Sequence, residues 1–265
     1  MRLLAGGWAA PTQRTIPDFR LHRPRTIAAA AAAGAAEGAV YAQGCTDLFA
    51  RFREGLWCSD LVSLERIPEL TAIRRDGPDL AIGAGVRHAA GAADPLVAEM
   101  LPGLAAAWGS IATHRIRQRA TIGGNLMARR PRYEMSIMME ALGARLETAG
   151  PVLAPADVWT GPPPGTLLHT IRIPDAAGTW FGYERALRPL MTAAVAVRGE
   201  TVRLAVGSEY VRPHAAEGRL GEDPARIAAR LPDAVGDAAA DAGYRRHAAG
   251  VLLGRALARR EGEAR

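Results

Sequence analysis

Two glycine-containing loops constrain the fold of this chain more than any other feature. The first, GCTD at residues 44–47, lies between a short apolar run at 39–42 and a helical stretch that begins at Leu48. The second is TIGGN at residues 121–125. Loops of this kind present backbone N–H groups at a helix N-terminus, where anions such as pyrophosphate bind, and paired glycines allow the backbone to approach a ligand closely. The sequence therefore predicts two places where an anionic group can bind.

Several classes of function are disfavoured by what surrounds these loops. Neither loop matches the G-x-G-x-x-G fingerprint of nicotinamide-dinucleotide proteins or the G-x-x-x-x-G-K-[ST] phosphate loop of nucleotide hydrolases. Ser208 lacks the G-x-S-x-G motif of α/β-hydrolases. Four isolated histidines are interpreted as surface or structural residues without a role in proton transfer: His88, His114, His169 and His247.

The charge of the chain does not indicate a nucleic-acid partner. The net charge is +6, and all 33 basic residues are arginine. They are dispersed apart from residues 115–119 and 129–130, and no zinc-finger spacing or aromatic platform accompanies them, so no nucleic acid is expected. Cys45 and Cys58 are too few for an iron–sulfur or zinc site and fit reduced thiols in a cytoplasmic protein. The N-terminal apolar stretch is too short for membrane insertion.

Apolar spacing and turn residues predict the order of helices and strands. Thr26 is the expected N-cap of an alanine-rich helix that ends at Gly38. Strands are predicted at 39–42, 61–64, 80–84, 168–173 and, as an antiparallel pair around a turn at Gly199, 195–197 and 202–206. Helices are predicted at 48–52, 96–110 and 135–142 and over most of 223–260. Residues 121–126 are predicted as a glycine turn, and residues 151–164 as a stiff, proline-rich loop.

Together with their surroundings, the loops resemble those of a known family. Residues 43–48 (QGCTDL) resemble the family's AGGTDL, and residues 121–126 are identical to its TIGGNL. Residues 64–70, 94–97 and 244–252 match its IxRIPEL, SPLV and YRRHLAxVL segments in the same order. The family comprises the FAD-binding medium subunits of molybdenum hydroxylases, relatives of carbon monoxide dehydrogenase, xanthine dehydrogenase and bacterial aldehyde oxidoreductases. The resemblance runs from about residue 19 to residue 258.

The resemblance implies an α+β architecture: a two-subdomain FAD-binding (PCMH-type) fold followed by a C-terminal domain of an antiparallel sheet plus helices. On this basis we expect an N-terminal extension at 1–16, the FAD-binding domain at 17–177, the C-terminal domain at 178–260 and a tail at 261–265. FAD would lie between the two subdomains of the first domain.

The resemblance also implies the residues of the FAD site, which we expect to be Ala42, Gln43, Gly44, Cys45, Thr46, Asp47, Leu48, Ile111, Ile116, Thr121, Ile122, Gly123, Gly124, Asn125, Glu134 and Arg188. Glu134 matches the acidic residue that contacts the flavin's sugar chain. Three departures from the family pattern stand near this site. Cys45 replaces the second glycine of the first loop, RRPRYE at 129–134 replaces ADPAAD, and Glu184 replaces a lysine.

The function implied is electron transfer within a hetero-oligomer. Substrate would be oxidised at a molybdenum cofactor on a large subunit, and electrons would pass through two-iron, two-sulfur clusters on a small subunit to FAD and then to an external acceptor. This chain would supply no catalytic acid or base and no metal ligand of its own. A structural or docking subunit with weak or no flavin binding is the alternative, because ring-side residues are altered. A stand-alone flavin oxidase is a weaker third hypothesis.

Overall fold

The computed structural model describes residues 16–185 and 191–263. Its first layer is a small parallel sheet with strand order β1-β3-β2. These strands are β1 (Arg20–His22), β2 (Ala39–Ala42) and β3 (Asp60–Ser63), and helices α1 (Ile27–Gly34) and α2 (Leu48–Arg53) connect them. The Thr26 side chain accepts a hydrogen bond from the Ala29 amide, so the predicted N-cap is confirmed. Helix α1 ends at Gly34, earlier than the predicted Gly38, and the Tyr41 ring packs where a side chain at Gly34 would lie.

The second layer is an antiparallel sheet with order β4-β5-β7-β6. Its strands are β4 (Ile73–Asp76), β5 (Asp79–Gly83), β6 (Arg145–Thr148) and β7 (Leu168–Ile173). Six helices follow β5 before the chain returns to the sheet: α3 (His88–Ala92), α4 (Pro95–Met100), α5 (Pro102–Ser110), α6 (His114–Arg117), α7 (Ile122–Met127) and α8 (Met135–Ala141). A further short helix, α9 (Asp157–Thr160), lies between β6 and β7.

The third layer is an antiparallel meander of four strands, β8 (Thr179–Glu184), β9 (Thr192–Arg198), β10 (Thr201–Gly207) and β11 (His214–Arg219). The predicted pairing around Gly199 is confirmed as β9 with β10. Helices α10 (Pro224–Ala228) and α11 (Ala242–Glu263) cover one face of this sheet, and α8 packs on the other. Mixed helices and antiparallel sheets give the expected α+β class.

The core continues from the second layer into the third. The side chains of α8, which is the predicted methionine-rich helix, are buried together with Ala194, Ala196 and Ala205 of the meander. Separate clusters lie under α11 and between α1 and the parallel sheet. Within the two described ranges, no helix combines the length and apolar character needed to cross a membrane.

Four predicted segments differ from the structure. The single helix at 96–110 is two helices, because Pro102 cannot donate the backbone hydrogen bond that would continue α4. The predicted glycine turn at 121–126 is the first part of α7. The proline-rich loop contains α9. The helical pattern over 223–260 is interrupted at 229–241, where Pro232 and Gly236 flank a short 3-10 helix.

Candidate functional site

One cavity of about 730 Å³ opens where the parallel sheet meets the second layer. This volume lies in the range of small-molecule and cofactor sites. Its walls are the first glycine loop and the end of β2, residues 111–113 after α5, the segment from Ala120 through α7 to Glu134, residues 166–168, and Arg185. The topology therefore brings both glycine loops, which are far apart in the chain, to one site.

The first glycine loop presents unused backbone donors to this cavity. Among the described residues, no protein acceptor is assigned to the amides of residues 44–48. Asp47 caps α2 without a side-chain hydrogen bond to the helix amides. Free N–H groups at such a position attract an anion. This loop can therefore hold a phosphate by its backbone, as the sequence predicts.

Gly44 and Cys45 occupy this loop for different reasons. A Cβ on Gly44 would overlap with the carbonyl oxygen of Arg119, two residues before the second loop. The absence of a side chain at Gly44 therefore lets the two loops pack against each other. Cys45 has a φ of +57°, a left-handed conformation that favours glycine. Burial raises the pKa of its thiol, and its Sγ donates to the Gln43 carbonyl oxygen at 3.5 Å.

The second glycine loop uses its amides inside the protein. The amides of Ile122 and Gly123 donate to the carbonyl oxygens of Val86 and Ala84, at 3.0 and 2.8 Å. The Gly124 amide donates to Thr121 Oγ1 at 3.1 Å, and the Asn125 amide donates to the Thr121 carbonyl oxygen at 2.9 Å. A Cβ on Gly123 would lie 2.7 Å from the Ala84 Cβ, so this glycine serves close packing. The second loop thus shapes the wall but has fewer free donors than the sequence suggests.

The Asp47 carboxylate joins the two halves of the cavity wall. Its oxygens accept from Arg51 Nε at 2.5 Å, Arg130 Nε at 3.0 Å and the Tyr133 hydroxyl at 2.9 Å. Burial raises the pKa of Asp47, but the hydrogen bond from Tyr133 and the charge of Arg51 outweigh it, so the pKa lies below its usual value. Arg51 also donates to the Ala128 carbonyl oxygen. Asp47 therefore connects α2 to the segment after α7 by hydrogen bonds.

Glu134 lies on the cavity wall and is tied to β8. Its Oε1 accepts a hydrogen bond from the Tyr183 hydroxyl at 2.8 Å and forms an ion pair with Arg185 Nε at 2.9 Å. Burial raises the pKa of Glu134 above its usual value, while Tyr183 and Arg185 oppose that shift. Within the described part of the chain, no partner is assigned to Oε2. One carboxylate oxygen therefore remains for a ligand hydroxyl.

Two buried polar atoms on the cavity wall have no partner among the described residues: His88 Nε2 and Asn125 Oδ1. His88 is 1% exposed, and its Nδ1 accepts from the Trp108 indole N–H at 2.8 Å. An indole nitrogen only donates, so Nδ1 is unprotonated and the proton of the neutral ring is on Nε2. Burial, together with the charge of Arg117, lowers the pKa of His88 to about 4. These two buried atoms, a neutral donor and an acceptor, are thus left without an assigned protein partner, at a cost of roughly 1–3 kcal/mol each.

Most of the predicted site residues line this cavity: Ala42, Gln43, Gly44, Cys45, Thr46, Asp47, Leu48, Ile111, Ile116, Thr121, Gly123, Gly124, Asn125 and Glu134. Ile122 does not line it, because its side chain is 0% exposed in the core and its amide is used internally. Arg188 lies outside the described residues. Sequence reasoning missed His88, since its pairing with Trp108 and its place on the wall arise only from the packing of α3 against α5.

Comparison with known proteins identifies the family. The FAD binding domain of molybdopterin dehydrogenases matches residues 17–176. The carbon monoxide dehydrogenase medium chain of Afipia carboxidovorans is 33% identical, and the match covers 94% of this chain and 98% of that one. Subunit alpha of the 6-hydroxypseudooxynicotine dehydrogenase complex of Paenarthrobacter nicotinovorans is 41% identical over 32% of this chain and 28% of its own length.

Solved structures agree with this assignment. A chain of reconstituted carbon monoxide dehydrogenase from Oligotropha carboxidovorans superposes with a TM-score of 0.78 at 29% identity, covering 92% of this chain and 98% of that one. A chain of quinoline 2-oxidoreductase from Pseudomonas putida 86 has a TM-score of 0.76 at 23% identity, covering 92% of this chain and 97% of that one, which shows the shared fold. The chain therefore belongs to the FAD-binding medium subunits of the molybdenum hydroxylase family.

Proposed function

We propose that this chain is the electron-transfer subunit of a molybdenum-containing hydroxylase or dehydrogenase, placed between an iron–sulfur subunit and an external acceptor. The observation that carries the proposal is the cavity between the two glycine loops, in a chain whose family carries FAD. When bound, FAD supplies reversible redox chemistry, and the protein supplies its binding and orientation. The substrate of the complex and the acceptor are not specified by this chain.

The residues of the cavity fit FAD in their donor and acceptor types. The free amides of residues 44–48 suit an anionic pyrophosphate. The second oxygen of Glu134 suits a hydroxyl of the sugar chain. His88 Nε2–H and Asn125 Oδ1 offer one donor and one acceptor to polar atoms of the cofactor. We infer that these side chains bind and orient FAD and that none of them transfers a proton to or from the substrate.

We further propose a hetero-oligomer with a large molybdenum-cofactor subunit and a small iron–sulfur subunit, in the cytoplasm. Support comes from the related chains, which are described as a medium chain and as a subunit of a dehydrogenase complex. Cys45 is partly buried beside the cavity and Cys58 is buried, and two thiols are too few for an iron–sulfur cluster, which takes about four thiolate ligands. The cavity and its unpaired polar atoms favour this proposal over a docking subunit that does not bind flavin.

Purification of the tagged chain from its native host tests this proposal. We expect two partner chains, molybdenum and iron in metal analysis, and bleaching of the flavin absorbance when the substrate of the complex is added. A metal-free, single-chain protein that oxidises a substrate with its own flavin would instead support a stand-alone oxidase. A complex without flavin would support the docking subunit.

A further inference from the structure

The cavity wall carries two arginines whose charge is not compensated by the protein. Arg129 and Arg132 are exposed and line the cavity. No ion pair or hydrogen bond from either side chain to a described residue is assigned. The other arginines of the wall differ, since Arg51 pairs with Asp47 and Arg185 pairs with Glu134. Positive charge thus remains at one segment, directly after the second glycine loop.

The local backbone holds this segment against the cavity. Arg129 has a φ of +52°, which turns the chain out of α7. Its Nη1 packs near Gly161, where an added Cβ would lie 3.4 Å from that nitrogen. Between the two arginines, Arg130 is fixed by Asp47 and Glu54. Arg130 therefore anchors the segment, while the guanidinium groups of Arg129 and Arg132 stay without an assigned ion pair to a described residue.

The second glycine loop creates a need for such charges. The amides of residues 122–125 donate to protein acceptors, so of the two glycine loops the first offers more free backbone donors to a phosphate. A pyrophosphate diester is dianionic near neutral pH, and two guanidinium groups match its charge. Arginine also binds phosphate through paired N–H donors, a geometry that lysine lacks.

We propose that Arg129 and Arg132 form a diphosphate clamp for the pyrophosphate of FAD, in addition to the free backbone donors of the first glycine loop. This inference rests on the proposed FAD site. The clamp is particular to this chain, because the corresponding family segment reads ADPAAD and has no arginine. A diphosphate of a dinucleotide electron acceptor has the same chemistry, but the arginines share a cavity with the free amides of residues 44–48, which favours FAD.

The test compares flavins that differ in their phosphates. The full chain is stripped of flavin, and the dissociation constants of FAD, riboflavin and NAD are measured at low and high salt, those of the flavins by fluorescence. The variants are Arg129→Gln with Arg132→Gln, and a control of equal charge, Arg66→Gln with Arg115→Gln, two exposed arginines outside the cavity. Urea unfolding confirms that each variant remains folded.

We expect the clamp variant to bind FAD about ten- to a hundredfold more weakly, the loss typical of charged hydrogen bonds, with riboflavin affinity unchanged. Salt should weaken FAD binding less in this variant than in the wild type, because exposed charges are screened. The control should bind both flavins like the wild type.

Three results with the clamp variant would overturn the clamp. One is an unchanged FAD affinity in the clamp variant, and another is an equal loss of FAD and riboflavin. The third is a loss of NAD binding with FAD binding intact, which would assign the arginines to an acceptor. A wild-type chain that binds riboflavin and FAD equally would contradict the clamp but leave the flavin site standing. A wild-type chain that binds neither would overturn the flavin site itself.

Discussion

At the scale of single residues, neighbouring positions of the first glycine loop are constrained for different reasons, one by packing and the other by backbone conformation. Gly44 is required by packing, since any side chain there would meet the Arg119 carbonyl. The next position requires a left-handed backbone, and this chain places Cys45 there at a φ of +57°. The thiol is partly buried with a raised pKa, so it is not an activated nucleophile. The cysteine is therefore tolerated at this position at a cost in backbone strain.

This strain leads to a stability prediction. Cys45→Gly should stabilise the protein by roughly 0.5–1 kcal/mol, because relief of the left-handed penalty of roughly 1–2 kcal/mol exceeds the entropy lost by glycine. Cys45→Ala keeps the penalty and should be nearly neutral. Urea denaturation of both variants measures the difference. A glycine variant no more stable than the alanine variant would show that the loop is unstrained.

His88 provides a prediction about pH. Its folded-state pKa of about 4 lies below the ordinary value of 6.5, so the unfolded chain takes up the proton first as the pH falls. Stability should therefore decrease from pH 6.5 to pH 4, by up to about 3 kcal/mol from this residue. In the His88→Asn variant, the asparagine side-chain oxygen can accept the hydrogen bond from the Trp108 indole, but the side chain has no group that titrates in this pH range. The urea midpoint, measured at pH 7, 5.5 and 4, should decrease less with falling pH in this variant than in the wild type. If the midpoints of both proteins decrease equally, His88 is not the source of the pH dependence.

At the scale of secondary-structure elements, hydrogen-bonded carboxylates connect the pieces around the cavity. Asp47 joins α2 to the segment after α7, and Glu134, at the start of α8, joins that segment to β8 through Tyr183. The three layers thus meet at the cavity, where ligand binding and element packing involve the same side chains. Glu184, the departure expected near the flavin ring, does not line the cavity and forms an ion pair with Arg259 of α11.

The two roles of Glu134 can be separated by mutation. Glu134→Ala should weaken FAD binding about ten- to a hundredfold, because a hydrogen bond to a charged group contributes roughly 1.5–3 kcal/mol. Tyr183→Phe removes the tie to β8 but leaves the carboxylate, so it should lower stability with a smaller effect on FAD. Flavin titration and urea denaturation of both variants give the comparison. If Tyr183→Phe weakens FAD binding as much as Glu134→Ala does, Glu134 serves only as a tie between elements.

At the scale of the whole molecule, the boundary proposed at 177/178 separates two sheets but not two cores. Helix α8 packs on the inner face of the meander, and Ala194 and Ala196 belong to the same cluster as the second layer. Gly103 of α5 lies so close to β8 that a Cβ would overlap with the Phe181 carbonyl oxygen. The third layer thus completes the core of the second.

This shared core predicts cooperative unfolding. The chain truncated after Ala177 should fail to fold, because the apolar face of α8 would be exposed to water. The full chain should show a single urea transition for the second and third layers, with tryptophan fluorescence and far-ultraviolet circular dichroism coinciding. A truncated chain with a sharp transition of its own would show that 17–177 is an independent domain.

The sequence by itself determined the features that depend on neighbours along the chain. The Thr26 cap, β2 with its glycine loop, the methionine-rich helix and the hairpin at Gly199 follow from local propensity and turn chemistry, and each is present in the structure. The motif spacing also indicated the family and its cofactor. Residues on both loops could be named because their motifs resemble those of the family.

Only the tertiary structure decided how these segments use their polar groups. The TIGGN sequence suggests free backbone amides. In the fold, where β5 and α7 lie together, the carbonyl oxygens of Val86 and Ala84 accept hydrogen bonds from two of these amides. Likewise, the Nε2–H of His88 becomes an unpaired donor on the cavity wall only because Trp108 occupies the other ring nitrogen. Hydrogen-bond partners that are far apart in the sequence depend on packing, so they cannot be predicted from the local sequence pattern.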